Sequence, residues 1–271
     1  MSKIKFDPSI SLEMRETIME ELRGIEAAES VRILFAIESG SRAWGFPSPD
    51  SDYDARFVYA RDPDWYLSIA PGRDVIELPI VGELDINGWD IKKALGLLLK
   101  PNPVLLEWLS SPIRYMWEDG ACQSLVDFST RAAHGPACLH HYFNLGESLW
   151  KRRIDGKEEV KLKRYFYVLR PAMALRWLRM HPDTVPPMNF QELMAGVDLD
   201  ADLMEQLEIL LRAKAASNEL GVAARIDVLD AFIVSEFDIA RERASGLRAE
   251  RHDLRSEADV LFREIVRGLS A

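Results

Sequence analysis

Residues 31–54, VRILFAIESGSRAWGFPSPDSDYD, restrict the possible folds more than any other stretch of the chain. Val31, Ile33, Phe35 and Ile37 recur at every second position and interleave with Arg32, Leu34, Ala36 and Glu38, which is the pattern of a half-buried strand. That strand runs directly into Gly40-Ser41, and Asp52-Tyr53-Asp54 follows after a gap of ten residues rich in turn formers. Side chains two apart on a strand share a face, so Asp52 and Asp54 present two carboxylates about 7 Å apart along the backbone. The segment therefore predicts a sheet in which a tight turn faces a pair of acids.

The residue types in this arrangement point to a particular chemistry. Gly40 lets backbone approach an anion closely, and Ser41 can donate its hydroxyl to a phosphate oxygen where free N–H groups at the start of a turn or helix favour negative charge. Arg42 adds a charge-assisted donor. Two hard carboxylate ligands suit Mg²⁺, which keeps several waters and takes further ligands from substrate phosphates. A third carboxylate from a neighbouring strand would complete a two-ion site, with one ion activating a hydroxyl and the other steadying a triphosphate and its leaving pyrophosphate. Asp85, which alternates with Asn87 and Trp89 on a strand predicted over residues 83–89, is the candidate, whereas Asp90 reads as a helix cap. Each motif alone reads as ordinary turn residues. Together they point to metal-assisted transfer of a nucleotide from a nucleoside triphosphate.

The rest of the chain divides in two. Ile18, Leu22 and Ile25 after Ser11 predict an amphipathic helix, and residues 52–59, 74–78 and 83–89 predict further strands. Asp90 is placed to cap a helix closed by Pro101, and Asn102-Pro103 to start another that ends before Pro112. Residues 1–130 thus read as a mixed sheet with helices, an α/β (α+β) catalytic domain. Beyond about Arg131 strand signals vanish, and helices are predicted around residues 140–153, 158–180, 202–217 and 226–269, with a capping-box-like start at Asn189. Residues 131–271 read as a helical C-terminal domain.

Charge and cysteine content limit the partners. The 271 residues carry a formal charge of −10, which argues against a general nucleic-acid coat protein, whose affinity is summed from phosphate neutralisation. Residues 151–170 are the exception, with eight basic against three acidic side chains and a local net of +5. The opening MSKIKFDPSI has no apolar core and no run approaches a membrane span, so a cytoplasmic protein without membrane contact is expected. Cys122 and Cys138 lack close ligand partners and read as buried reduced thiols, and His134, His140, His141, His181 and His252 form no spacing that suits zinc.

The stretch from Glu38 to Phe46, with Pro49 to Asp54 after it, resembles the predicted nucleotidyltransferases of the DNA polymerase beta superfamily, in particular the group associated with RNA repair. Residues 85–93 leading into Asn102-Pro103 and Glu107-Trp108-Leu109 are similar to that group's third-carboxylate strand and following helix. Residues 163–171 and 186–190 resemble its helical half. Ser39 departs from the pattern, which usually has an apolar residue there. The resemblance implies a nucleotidyltransferase fold and Mg²⁺ dependence. It also implies metal binding and catalysis by Asp52, Asp54 and Asp85, with Gly40, Ser41 and Arg42 at the phosphates.

Lys161, Arg164 and Tyr165 fall at i, i+3, i+4 and either line a nucleotide cleft or form a solvated basic face. Tyr142, Trp150, Tyr165, Tyr167 and Trp177 either stack a base or belong to the core. Trp44 reads as loop packing, and Glu107 as a buried, capping or orienting carboxylate. Three acceptor readings stay open: transfer to an RNA end, transfer to a partner protein, or no transfer at all in a nucleotide-sensing module. Oligomeric state is not legible.

Overall fold

The computed structural model describes residues 5–6, 8, 10–70, 72–100, 102–131, 135–216, 220–246 and 253–268. They form two compact units. One comprises residues 8–43, 52–133 and 251–271, the other residues 1–7, 44–51 and 134–250, so neither is continuous in sequence, unlike the spans 1–130 and 131–271 expected above.

The first unit is built on a sheet. Helix α1 (Leu12–Glu29) is capped by Ser11, whose hydroxyl accepts from Met14 N at 3.1 Å, and buries the Ile18, Leu22, Ile25 stripe. Ser30, at φ 51°, turns the chain into β1 (Val31–Glu38). One helical turn, α2 (Gly40–Ala43), precedes β2 (Tyr53–Arg61), α3 (Pro63–Tyr66), β3 (Val75–Glu77) and β4 (Leu84–Asp90). Then come α4 (Ile91–Leu98), α5 (Pro103–Leu109), β5 (Arg114–Trp117) and α6 (Asp119–Thr130). The sheet order is β3-β4-β2-β1-β5, with β2 and β4 parallel and the other pairs antiparallel.

Asp90 caps α4 by accepting from Lys92 N at 2.7 Å, and Asn102 caps α5 with Pro103 at its first position, as their spacing predicts. Pro101, expected to close α4, lies outside the described residues. Strand β1 is not half-buried. All but one of its residues are buried, because Leu34 and Ala36 on its second face are apolar too and are covered like the first. The four residues of β5 are too short to carry a periodic signal and escaped sequence reading.

The second unit contains α7 (Gly135–Arg153), β6 (Glu159–Lys161), α8 (Lys163–Met180), α9 (Phe190–Ala195), α10 (Ala201–Ala216), β7 (Val222–Ala224) and α11 (Asp227–Gly246). Strand signals were expected to be absent here, yet β6 and β7 pair as an antiparallel ribbon, each too brief to show alternation. The helix expected from residue 158 starts only at Lys163 for this reason. Asn189 does cap α9, accepting from Glu192 N at 2.8 Å. Glu236 on α11 is buried and neutralised from α8 by Arg176 at 2.7 Å and Arg179 at 3.0 Å.

Residues 44–51 belong to this unit. Phe46 stacks on Phe166 with ring centroids 4.9 Å apart, Gln191 donates to the Gly45 carbonyl, and Lys214 donates to Ser48 Oγ at 2.6 Å.

The single helix expected over residues 226–269 is two helices. The second, α12 (Arg255–Arg267), belongs to the sheet unit, where Phe262 meets the Tyr66 ring edge-on at 4.9 Å and Arg131 pairs with Glu257 at 3.2 Å. Residues 217, 247–252 and 269 of those expected helices lie outside the described residues, as do His134 and His252. No helix among the described residues is long and apolar enough to cross a membrane. Cys122 and Cys138 are both buried and unbridged.

Gly146 sets the spacing of three helices. A Cβ there would come within 2.6 Å of the Phe237 ring on α11 and 3.1 Å of Pro171 on α8. Gly146→Val is therefore expected to lower unfolding free energy by about 2 kcal/mol through overpacking, measured by chemical denaturation. Gly24→Ala, inside α1 with no atom within 4 Å of the added carbon, should leave stability unchanged or raised.

Candidate active site

The turn after β1 closes over one carboxylate. Gly40 sits at φ 59°, and a Cβ on it would overlap Asp54 Oδ2. Both facts demand glycine. Ser39 N donates to Asp54 O at 2.8 Å, which fixes the turn to β2. Ser41 is half-buried beside it. Arg42 is buried rather than presented to solvent: its Nε donates to Asp52 O at 3.2 Å and its guanidinium lies 3.7 Å from the centroid of the Tyr53 ring. It braces the entry into β2.

The register of β2 against β4 places Asp54 opposite Asp85. The neighbouring strand thus supplies a carboxylate at the expected position. Between the two stands Arg56, whose Nη2 donates to Asp54 Oδ1 at 2.8 Å and to Asp85 Oδ2 at 2.6 Å. Its Nη1 donates to the carbonyls of Asp85 at 2.9 Å and Ala55 at 3.1 Å. Asp52 precedes β2, is exposed, and its carboxylate makes no hydrogen bond among the described residues. No three His, Cys, Asp or Glu side chains among the described residues converge as a ligand set for an ion.

Glu38, at the end of β1, lies beneath this group with no exposure to solvent. Its Oε1 accepts from Asp54 N at 2.8 Å and its Oε2 from the Tyr115 hydroxyl on β5. Burial pushes the Glu38 carboxyl up from 4.5 to about 7, against the hydrogen bonds that favour its ionised form. Burial also raises Asp54; Arg56 opposes this, while Asp85 and Asp52 add to it. Asp90 is spent elsewhere, since the oxygen not capping α4 accepts from the Tyr66 hydroxyl at 2.8 Å.

The candidates from the helical unit do not share a helix face. Lys161 lies on β6, ahead of α8. Tyr165 is fully buried, donating its hydroxyl to Asp230 at 2.8 Å and accepting from Ile226 N at 3.0 Å. Arg164 is half-buried, with Nη1 3.5 Å from the Arg153 carbonyl. Tyr142 and Trp150 are core residues, and Trp44 packs against Phe46 and Tyr167 under the Arg170 guanidinium. Glu107 is buried on α5.

Sequence reading missed Arg56 and Glu38. Arg56 carried a legible signal, since it is two residues beyond Asp54 and shares its strand face. Glu38 offered only an acid at the end of an apolar strand, and its importance depends on Tyr115 from a strand that was not foreseen.

The five-stranded mixed sheet thus carries the Gly-Ser turn and the carboxylates of Asp54 and Asp85 on neighbouring strands. This chain belongs to the RNA repair pathway DNA polymerase beta family, RlaP, which it matches over residues 14–264. It is 45% identical over 249 residues to the uncharacterized protein YcgL of Bacillus subtilis (strain 168), covering 92% of this chain and 95% of that one. It is also similar to a nucleotidyltransferase-like protein from Exiguobacterium sibiricum 255-15 whose crystal structure is known. That similarity spans 93% of this chain and 80% of the other, at 11% identity and a TM-score of 0.30.

The Glu38 carboxyl makes stability depend on pH. Because it is harder to ionise in the folded state, its burial penalty is absent below about pH 4.5, grows as pH rises, and is complete above about 7. Glu38→Gln keeps an acceptor for Asp54 N and can place its amide against the Tyr115 oxygen. Without divalent metal, the variant is expected to be more stable than the parent above pH 7, by up to about 3 kcal/mol, and to lose that advantage by pH 4.5. Denaturation midpoints across that range measure it.

Proposed function

We propose that this protein transfers a nucleoside monophosphate from a nucleoside triphosphate to an acceptor hydroxyl, releasing pyrophosphate, and that the acceptor is an RNA end. The observation that carries the reading is the closure of the Gly40 turn over Asp54, with Asp85 in register on the adjacent strand. In the transfer, the acceptor oxygen bonds to the α-phosphorus as the bond from that phosphorus to the α,β-bridging oxygen breaks. The electron pair leaves with pyrophosphate and the hydroxyl proton passes to solvent.

The donors present fit a hard divalent cation. Asp54 Oδ2, on the Gly40 side, receives no hydrogen bond among the described residues, and neither does the carboxylate of Asp52. Two such oxygens, with waters and phosphates completing the shell, suit Mg²⁺. Bound there, Mg²⁺ offsets phosphate charge and polarises the reacting oxygens. Asp85 completes the acidic set. Gly40 and Ser41 face the phosphates, the glycine by leaving room and the serine by offering its hydroxyl. Within the helical unit, Tyr165 supports the segment that carries Lys161 and Arg164, through its hydrogen bonds to Asp230 and Ile226, rather than being a ligand contact.

The RNA acceptor is favoured by the family's place in RNA repair. With a net charge of −10, RNA contacts must be few and local. Incubation with Mg²⁺, each labelled nucleoside triphosphate and an oligoribonucleotide should label the RNA. The Asp52→Ala, Asp54→Ala double variant should be slower by at least about a hundredfold. Undiminished labelling by that variant would defeat the carboxylate assignment. Label on a protein from cell extract, with none on RNA, would move the acceptor to a partner protein.

A further inference from the structure

Arg56 holds the position between Asp54 and Asp85 that a bridging cation would take. A single nitrogen, Nη2, touches one oxygen of each carboxylate, at 2.8 Å and 2.6 Å, as a shared ion does. The side chain is not a loose surface group, being only 14% exposed, with its second terminal nitrogen on the backbone carbonyls of Ala55 and Asp85. Swinging it away would strip four hydrogen bonds and leave two carboxylates facing each other on adjacent strands. Asp85 is also anchored to Arg56 twice, by its carboxylate and by its main chain. The acids that remain open are different ones: Asp52, and the Oδ2 oxygen of Asp54 on the side away from Arg56. Counted together, Asp52, Asp54 and Asp85 against Arg56 leave two negative charges, the complement of one dication.

We infer that Arg56 is a permanent internal cation standing in for one of the two ions, so that the protein itself holds a single divalent ion through Asp52 and Asp54. Asp85 is then the positioning residue that keeps Arg56 in place, and not a metal ligand. This rests on the metal-dependent reading above and refines it: the two-ion expectation is replaced by one ion and one guanidinium. A fixed guanidinium also supplies a planar donor beside the phosphates without having to be bound from solution.

The test counts Mn²⁺ bound to the full chain, by the electron paramagnetic resonance signal of the free ion, without nucleotide. One ion is expected for the parent, one for Arg56→Lys, which keeps the charge, and one for Asp85→Asn. Arg56→Gln should bind two, and Asp52→Asn should bind none or bind at least tenfold more weakly. Two ions on the parent overturn the inference. So does loss of the ion in Asp85→Asn, because Asp85 would then be a ligand and Arg56 a placeholder that metal displaces. If Arg56→Gln does not fold, as read by its thermal melt, the Arg56→Lys and Asp85→Asn counts still decide between these outcomes. Absence of Mn²⁺ from the parent and every variant would defeat the metal-dependent reading itself, and the inference with it.

Discussion

Asp54 is constrained from four directions, and much of the sheet unit follows from that. Its N–H is taken by Glu38, its carbonyl by Ser39, one carboxylate oxygen by Arg56, and the space above the other is left open only because residue 40 has no side chain. These partners come from three separate places in the fold. Glu38 ends β1, Ser39 and Gly40 form the turn, and Arg56 is on β2 but is held by Asp85 of β4. The placement of the Asp54 carboxylate is thus a property of three strands in register, and a slip of one residue in β2 would turn it to the wrong face.

Glu38 is where this arrangement is most costly. A carboxylate without access to water gives up hydration that two hydrogen bonds only partly restore, and this leaves its proton affinity raised to about pH 7. In exchange, Glu38 ties the edge strand β5, through Tyr115, to the main chain of Asp54. The cost supports precision under the candidate site, where a shift of about half an ångström would misplace the Asp54 carboxylate.

The sequence made the central part of this readable because it was written in short-range signals. Alternation gave β1, offset spacing gave the α1 stripe, and single residues such as Asp90, Asn102 and Asn189 gave the helix starts, since a cap needs only its own side chain and the next turn. Asp85 was legible as an acid on a strand next to the first pair. What escaped reading was non-local. The strands β5, β6 and β7 are only three or four residues long and exist because a partner strand passes by. The face-sharing of Lys161, Arg164 and Tyr165 failed for the same reason, as the β6 ribbon takes Lys161 out of the helix that spacing alone would have given it. Arg56 was in plain view, but a lone arginine on a strand shows its role only once β4 brings up Asp85.

The ten residues between the Gly-Ser turn and Asp52 behave differently from an ordinary surface loop. Phe46 is stacked on Phe166, Gly45 is held by Gln191 and Ser48 by Lys214, so the spacer is built into the helical unit while both of its ends belong to the sheet unit. Between α1 and α12 the chain therefore crosses between units four times, into and out of the spacer, after α6 and again before α12. A protein threaded in this way has no single cut that frees an intact sheet unit, and swapping its helical part with that of a distant relative would remove the packing of a loop numbered between Gly40-Ser41 and Asp52. Whatever selects the helical unit also acts on the distance between the two halves of the motif, which makes that distance a shared possession of both units.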